Sequence, residues 1–495
     1  MTPRLPLWTL ALTLPSCTSL ETWGLGGQEG EDFGDADTDS DTDKETDKDT
    51  GLDSGEVPTI SACDETSTVV RTLRPPDTNA MSSPVLARVA ARSGWNTLYG
   101  VPIRTSEFLN YYSFDYPSAD DGALGIAAAL VPDPSGAPNA YVLQLGVSTE
   151  HRDNDERAPL NLTFAVDTST SMAGTPLRLV QEAMTQIAAG LKRGDVVSVL
   201  SWDTAQGVLV DGLEVDGPSD SDLLSAINAL VAGGGADVTG GLSAGYGVAL
   251  RNWRTGSLNR VVVFSDGQSS AGLVSVDLIS GHAGGQDTDG IYVVGVGVGS
   301  LGRYNGALMD QVTDAGKGAS VFLDSEAEAA RVFGERFVNT FDVAARNVSV
   351  RLQMPPGFEI RELEGETPSE ARLDPQHLAP NDALVLHEEL TTCAPDSLTD
   401  DSVFEVTVRW QDAVTFEAQE LTRAWTFAEL RQQDPALLYK GRAITRYAEA
   451  LEVYGDDARW PDARNEASAA LFTAQVTNPG DADLAEVEAV LDALR

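Results

Sequence analysis

Uninterrupted apolar runs occur in LTFAVD (162–167), DVVSVLSW (195–202), RVVVFSDG (260–267) and GIYVVGVGVG (290–299), with amphipathic stretches between them. In TPLRLVQEAMTQIAAGLKR the residues Leu177, Val180, Met184, Ile187 and Leu191 form one helical stripe, and Pro176 stands in its opening turn. A second helix is expected near 219–231, with Ser219 as its N-cap and Leu223, Ile227 and Leu230 facing inward. Strands that are apolar throughout and alternate with such helices predict an α/β fold, a doubly wound and mainly parallel sheet covered on both faces.

On either side the period changes to two. Tyr141, Leu143, Leu145 and Val147 share one parity, as do Val348, Val350, Leu352 and Met354, and Phe404, Val406, Val408 and Trp410. Each set predicts a half-buried strand, so the α/β domain should be flanked by, or inserted in, a β-sandwich. Beyond about residue 432 the pattern is helical, with ALLYKGRAITRYAEALEVY followed by two shorter segments. Residues 28–56 are nearly free of apolar side chains and should form a charged, extended tether. The alternating aspartates there lack the glycine and glutamate of a calcium loop. The expected organisation is a signal peptide at 1–17, an acidic disordered tether at 18–60, a β-containing flank at 61–158, the α/β domain at 159–343, a β-rich domain pairing with the first flank at 344–430, and helices at 431–495.

The formal charge of −43, from 33 basic and 76 acidic residues, disfavours nucleic acid and anionic membrane surfaces as partners. Arg4 precedes about a dozen mostly apolar positions, the length of a signal-peptide core and too short to span a bilayer. Leu14-Pro15-Ser16-Cys17 resembles a bacterial lipoprotein cleavage box, which would make Cys17 the lipidated residue and the only attachment to a membrane. Thr18 lacks the aspartate that retains many lipoproteins at the inner membrane, so an outer-membrane or cell-surface location is expected. With Cys17 so used, Cys63 and Cys393 remain as an even pair in an exported chain. A disulfide between them would tie the two β-rich flanks together, stabilising by roughly 4 to 5 kcal/mol; two free thiols are the other reading.

Ligands of doubly wound sheets bind beyond the carboxyl ends of the strands. Asp167, Ser169 and Ser171 follow one such strand, and Asp266 follows another. Two carboxylates with neutral hydroxyls are hard oxygen donors suited to Mg²⁺, with Mn²⁺ or Ca²⁺ as substitutes. The D-x-S-x-S spacing followed by S-D-G resembles the metal-ion-dependent adhesion site of von Willebrand factor A domains. RTSEFLNYYSFDYP (104–117) is similar to the R-x-E-E-x-x-N-Y segment of a bacterial exported branch of that family. The resemblance implies that Asp167, Ser169 and Ser171 bind the metal directly or through water, that Asp266 acts through water, and that one position stays open for a partner's carboxylate. Thr170 stands where the family has glycine. Ala236 stands where a third loop supplies threonine, with Asp237 or Thr239 as nearby substitutes.

Other motifs are set aside. Gly297 to Gly302 satisfies G-x-G-x-x-G on a late strand, where tight turning explains it better than a dinucleotide. Gly241 to Gly245 matches G-x-S-x-G without the preceding strand of a nucleophile elbow, so Ser243 is read as a small packing residue. His151, His282, His377 and His387 are scattered and expected in solvent, which leaves no acid and base pair for catalysis. The expected function is therefore metal-dependent binding of a protein that presents an acidic side chain, at the cell envelope and without enzymatic turnover. A structural envelope protein with a decayed site, and a metal-dependent hydrolase, are the alternatives.

Overall fold

A computed structural model describes residues 66–494 apart from 74–79, 94–97, 99–100, 102, 121, 269–278, 280, 284–289 and 362–375. The signal, lipidation and tether expectations at residues 1–60, and Cys63, lie outside the described residues.

Strands run as β1 (Val69–Leu73), β2 (Gly125–Pro132), β3 (Ala140–Ser148), β4 (Leu160–Asp167), β5 (Val196–Trp202), β6 (Gln206–Glu214), β7 (Leu258–Ser265), β8 (Tyr292–Gly297), β9 (Ser320–Phe322), β10 (Ala345–Met354), β11 (Phe358–Ile360), β12 (Gln376–Leu378), β13 (Ala383–Thr392), β14 (Val403–Asp412) and β15 (Ala418–Thr426). The central sheet has the order β6-β5-β4-β7-β8-β9, parallel except for the antiparallel edge strand β6. Every residue of β4 and β7 is buried. On one face, Leu162, Phe164 and Val166 pack with α3 (Thr175–Gly190) and α4 (Ser221–Asn228). On the other, Ala165, Val261 and Val263 pack with α5 (Val238–Arg251) and the helix Gly306–Ala315. Two covered faces are why these strands read as unbroken apolar runs.

The stripe expected for α3 is buried throughout. The cap of α4 differs from expectation. Ser219 has φ of +56°, and Asp220 is the N-cap, accepting from the N–H groups of Asp222 and Leu223. A residue in the left-handed region turns the chain into the helix, and the carboxylate one place later meets the free donors.

Strands from both sides of this sheet form a sandwich. One layer is β1-β10-β14-β15 with β12 beside β10, and the other is β11-β13-β3-β2. Their inward residues, among them Leu143, Leu145, Val350, Leu352, Val406 and Phe404, make one core. The half-buried reading of β3 needs correction: its other face is covered as well. Val142 packs on Leu438, and Gln144 Nε2 donates to the Leu437 carbonyl at 2.8 Å, because the helix Ala436–Glu452 lies across it. Cys393, just after β13, is disulfide-bonded.

The N-terminal flank also contains two helices that strand periodicity did not predict, α1 (Ser82–Arg92) and α2 (Thr105–Tyr111). They join the C-terminal helices in a separate core, with Phe108 edge-on to Tyr447 at 5.4 Å. The second C-terminal helix, Trp460–Thr477, has 18 residues and is not shorter than the first, which has 17. Arg88 of α1 binds Asp324 and Glu328 of the α/β domain and Glu486 of the last helix, each at 2.8 Å. Arg104 binds Glu107 and Asp310, both at 2.6 Å, so the upstream segment fastens this helical layer to the α/β domain.

The amino end of the sheet is fixed by a fully buried ion pair. Arg157 donates to both oxygens of Asp195, which also accept the N–H groups of Leu160 and Lys192. Asp195→Ala would leave the Arg157 guanidinium buried and uncompensated, at a cost of about 3 to 5 kcal/mol. Urea unfolding should register that loss, whereas Arg178→Ala, at an exposed pair with Glu326, should leave the midpoint nearly unchanged.

Candidate metal centre

The register of β4 and β7 pairs Val166 with Phe264, which sets Ser265 level with Asp167 at the carboxyl end of the sheet. Asp167 is fully buried, and Ser169 and Asp266 nearly so. The Ser169 N–H donates to Asp167 Oδ1 at 2.9 Å, and the Ser265 hydroxyl donates to Oδ2 at 2.7 Å. The Ser265 oxygen in turn accepts from the Gly267 N–H at 3.0 Å, which fixes the direction of its proton. Ser169 Oγ and Ser171 Oγ lie 3.0 Å apart. Asp266 Oδ1 accepts the Gln268 N–H at 3.0 Å. Burial, reinforced by the charge of Asp266, holds the Asp167 carboxyl above its ordinary range, against the donors that favour its ionised form.

The structure therefore brings together Asp167, Ser169, Ser171 and Asp266, all read from sequence. Ser265 was missed. Its signal was present, since it immediately precedes Asp266 at the end of an apolar strand. The two candidate substitutes for Ala236 differ in what they have left to offer. Asp237 is the N-cap of α5, with Oδ1 accepting from the Gly240 N–H and Oδ2 from Gln206 Nε2 at 3.2 Å. The Thr239 hydroxyl is buried with no hydrogen-bond partner among the described residues. Thr170 has a task of its own: its hydroxyl and N–H both donate to the Gly234 carbonyl, at 2.7 and 3.2 Å, joining the first loop to the glycine loop.

The donor set fits a hard divalent cation. It consists of two carboxylates with adjacent hydroxyls, one carboxylate being raised by burial and by its neighbour's charge, which a cation would relieve. Among the described residues no group of three or more His, Cys, Asp or Glu side chains is placed to hold a metal, so a site here depends on hydroxyl oxygens. Asp167, Ser169, Ser171 and Asp266 are the residues that would hold the cation, which would supply an electrophilic centre for an anionic ligand.

The motifs set aside have structural explanations. A Cβ at Gly297 would overlap the Tyr304 ring, and Gly299 takes φ of +118° beside Asp266, so these glycines serve a tight turn. Ser243 lies within α5 and is exposed, contrary to the packing role expected of it. Three histidines are not in solvent, and of these His282 packs against the Tyr246 ring at 5.0 Å. His377 stacks on Tyr292 at 5.3 Å and His387 bonds Gln144 at 2.9 Å; burial, with neighbouring arginines, pushes each down to about 3.

A parallel sheet covered on both faces, with hydroxyls and carboxylates gathered at its carboxyl end, defines an α/β domain with a cluster of oxygen donors at its strand ends. The chain carries a von Willebrand factor type A domain, matched over residues 162–268. It is 23% identical over 307 residues to the Escherichia coli (strain K12) protein YfbK, across 58% of this chain and 53% of that one. It is 24% identical over 223 residues to the Synechocystis protein sll0103, across 45% and 51%. The chain thus spans about half the length of the curated relatives it matches. The von Willebrand factor type A structure from Catenulispora acidiphila aligns with a TM-score of 0.45 and 15% identity, covering 74% of this chain and 96% of that one.

A group whose folded pKa is raised stabilises fully below its unfolded value and loses that contribution as pH rises through the folded value. Ionised Asp167 therefore opposes folding of the metal-free chain at neutral pH. In EDTA at pH 7.5, Asp167→Asn should melt higher by on the order of 2 °C, and the gap should close as pH falls toward the ordinary carboxylate range. Calorimetric scans across that pH interval check both the sign and the window.

Proposed function

We propose that this chain is a cation-dependent protein-binding module, in which Mg²⁺ or a similar divalent ion bridges the strand-end site to an acidic side chain of another protein. Von Willebrand factor type A domains commonly bind a divalent metal at this kind of site and often mediate metal-dependent protein interactions. The observation that carries the reading is the convergence of Asp167, Ser169 and Ser171 at the end of β4 with Asp266 at the end of the adjacent β7, where the neighbouring Ser265 hydroxyl donates to Asp167. Neutral hydroxyl ligands leave much of the cation's charge unquenched, which favours an anionic partner over bond making.

The reading extends to an exported, lipid-anchored protein attached at Cys17, its acidic tether carrying the module away from the membrane. Leu14 to Cys17 and the charge of residues 28–56 support it. Among the described residues no helix is long and apolar enough to cross a membrane.

The second reading, a scaffold with a decayed site, is favoured by Ala236, which has no side-chain oxygen. A cation titration separates the two. Saturating Mn²⁺ or Mg²⁺ at about a hundredfold excess over Kd should stabilise the wild-type chain by roughly 2.7 kcal/mol, seen as a rise in Tm that Asp167→Ala abolishes. Ala236→Thr should tighten the cation by about tenfold, or roughly 1.4 kcal/mol. A wild-type chain indifferent to both cations would support the scaffold. Turnover of a chromogenic phosphate or ester, lost in Asp167→Ala, would support a hydrolase instead.

A further inference from the structure

Five described loops meet at the carboxyl end of the central sheet: 167–174, 202–206, 232–237, 265–268 and 298–305. They carry Asp167, Asp203, Asp237 and Asp266, and a single basic residue, Arg303. Its loop is bound closely to the Asp266 strand end. Asn305 N–H donates to the Asp266 carbonyl at 3.0 Å, Val298 N–H donates to the Ser265 carbonyl at 3.2 Å, and Gln268 Nε2 donates to the carbonyl of Arg303 itself. The short turn is closed by the Arg303 N–H on the Ser300 carbonyl at 2.9 Å.

Arg303 is exposed, and among the described residues its guanidinium makes no ion pair. Exposed arginines elsewhere divide: Arg178, Arg251, Arg254 and Arg409 each have a carboxylate within reach, while among the described residues Arg71, Arg92 and Arg351, like Arg303, form no ion pair. A side chain about 7 Å long, on a loop hydrogen-bonded to the backbone of a metal-site residue, presents a planar fork suited to a carboxylate.

We infer that Arg303 is a second anchor of the partner, so that the surface recognises two acidic groups together, one at the cation and one at Arg303. This rests on the cation reading above and adds the partner's chemistry to it: a segment with two Asp or Glu side chains close together in sequence. Charge complementarity commits the site to that occupant. The local acids repel such a segment without a cation, and a divalent cation together with Arg303 offsets most of that charge.

The test uses the full chain with Mn²⁺ and two fluorescent peptides, Gly-Glu-Gly-Glu-Gly and Gly-Glu-Gly-Gln-Gly. The wild-type chain should bind the diacid at least fivefold more tightly than the monoacid. Arg303→Ala should remove that preference while leaving the Mn²⁺-dependent rise in Tm and the monoacid affinity unchanged, and Arg303→Lys should restore part of it. If the Mn²⁺ rise is present but the diacid is not preferred, does not bind, or is preferred equally by Arg303→Ala, the anchor is overturned and the cation reading stands. If the Mn²⁺ rise is missing from the wild-type chain, the cation reading falls and the anchor with it.

Discussion

A carboxylate buried at the end of a parallel sheet is the constraint around which this molecule is arranged. Taking the Asp167 charge out of water is costly unless donors or a counter-ion replace the solvent. The chain offers two donors, the Ser169 N–H and the Ser265 hydroxyl, and places a second acid, Asp266, next to the latter. Those donors only partly offset burial, and the residual strain is electrostatic. Apolar packing fixes the register of β4 and β7, and that register decides which residue of β7 can reach Asp167. A slip of one residue would replace the Ser265 hydroxyl with Phe264 or Asp266.

The rest of the fold holds this arrangement still. At the opposite end of the sheet, the buried pair of Arg157 and Asp195 joins the entry of β4 to that of β5. The Arg88 cluster ties the end of the α/β domain to α1 and to the last helix, and Arg104 ties α2 to the helix Gly306–Ala315. Both chain ends of the α/β domain therefore run into packed structure, with the sandwich and the helical layer limiting how far the strand ends can spread. A site built from short hydroxyl side chains needs that support, because Ser has little reach with which to correct a misplaced backbone.

Much of this was legible in the sequence, for identifiable reasons. Strands buried on both faces write themselves as unbroken apolar text, so the point where LTFAV meets Asp167 and RVVVF meets Ser265 is visible. What escaped was information held between distant residues. Helix α1 has no side-chain cap of its own, and its Ser83 N–H is satisfied by Glu107 from α2 at 2.7 Å. No local signal could announce that. The shared parity of Tyr141, Leu143, Leu145 and Val147 predicts a half-buried β3, yet on its other face the Gln144 amide is consumed by Leu437, Tyr116 and His387 from elsewhere in the chain. Ser219 is the expected cap of α4, but its left-handed backbone leaves that place to Asp220, a residue equally suited by type.

The departure at Ala236 can be understood from how its loop is held. Gly233 N–H donates to the Thr168 carbonyl at 2.7 Å, Thr170 donates twice to the Gly234 carbonyl, Gly235 N–H donates to the Thr204 hydroxyl at 2.8 Å, and Asp237 N–H donates to the Asp203 carbonyl at 3.2 Å. These bonds lock the glycine loop to the D-x-S-x-S loop and to the end of β5 through protein groups alone. Thr170 performs the joining from the side of the first loop. The same loop in a site with glycine at 170 would lack that hydroxyl bond and would depend more on metal for its position. Thr170 and Ala236 therefore fit one another: hydrogen bonds among protein groups secure the third loop's place, so its position does not depend on a side-chain oxygen at residue 236.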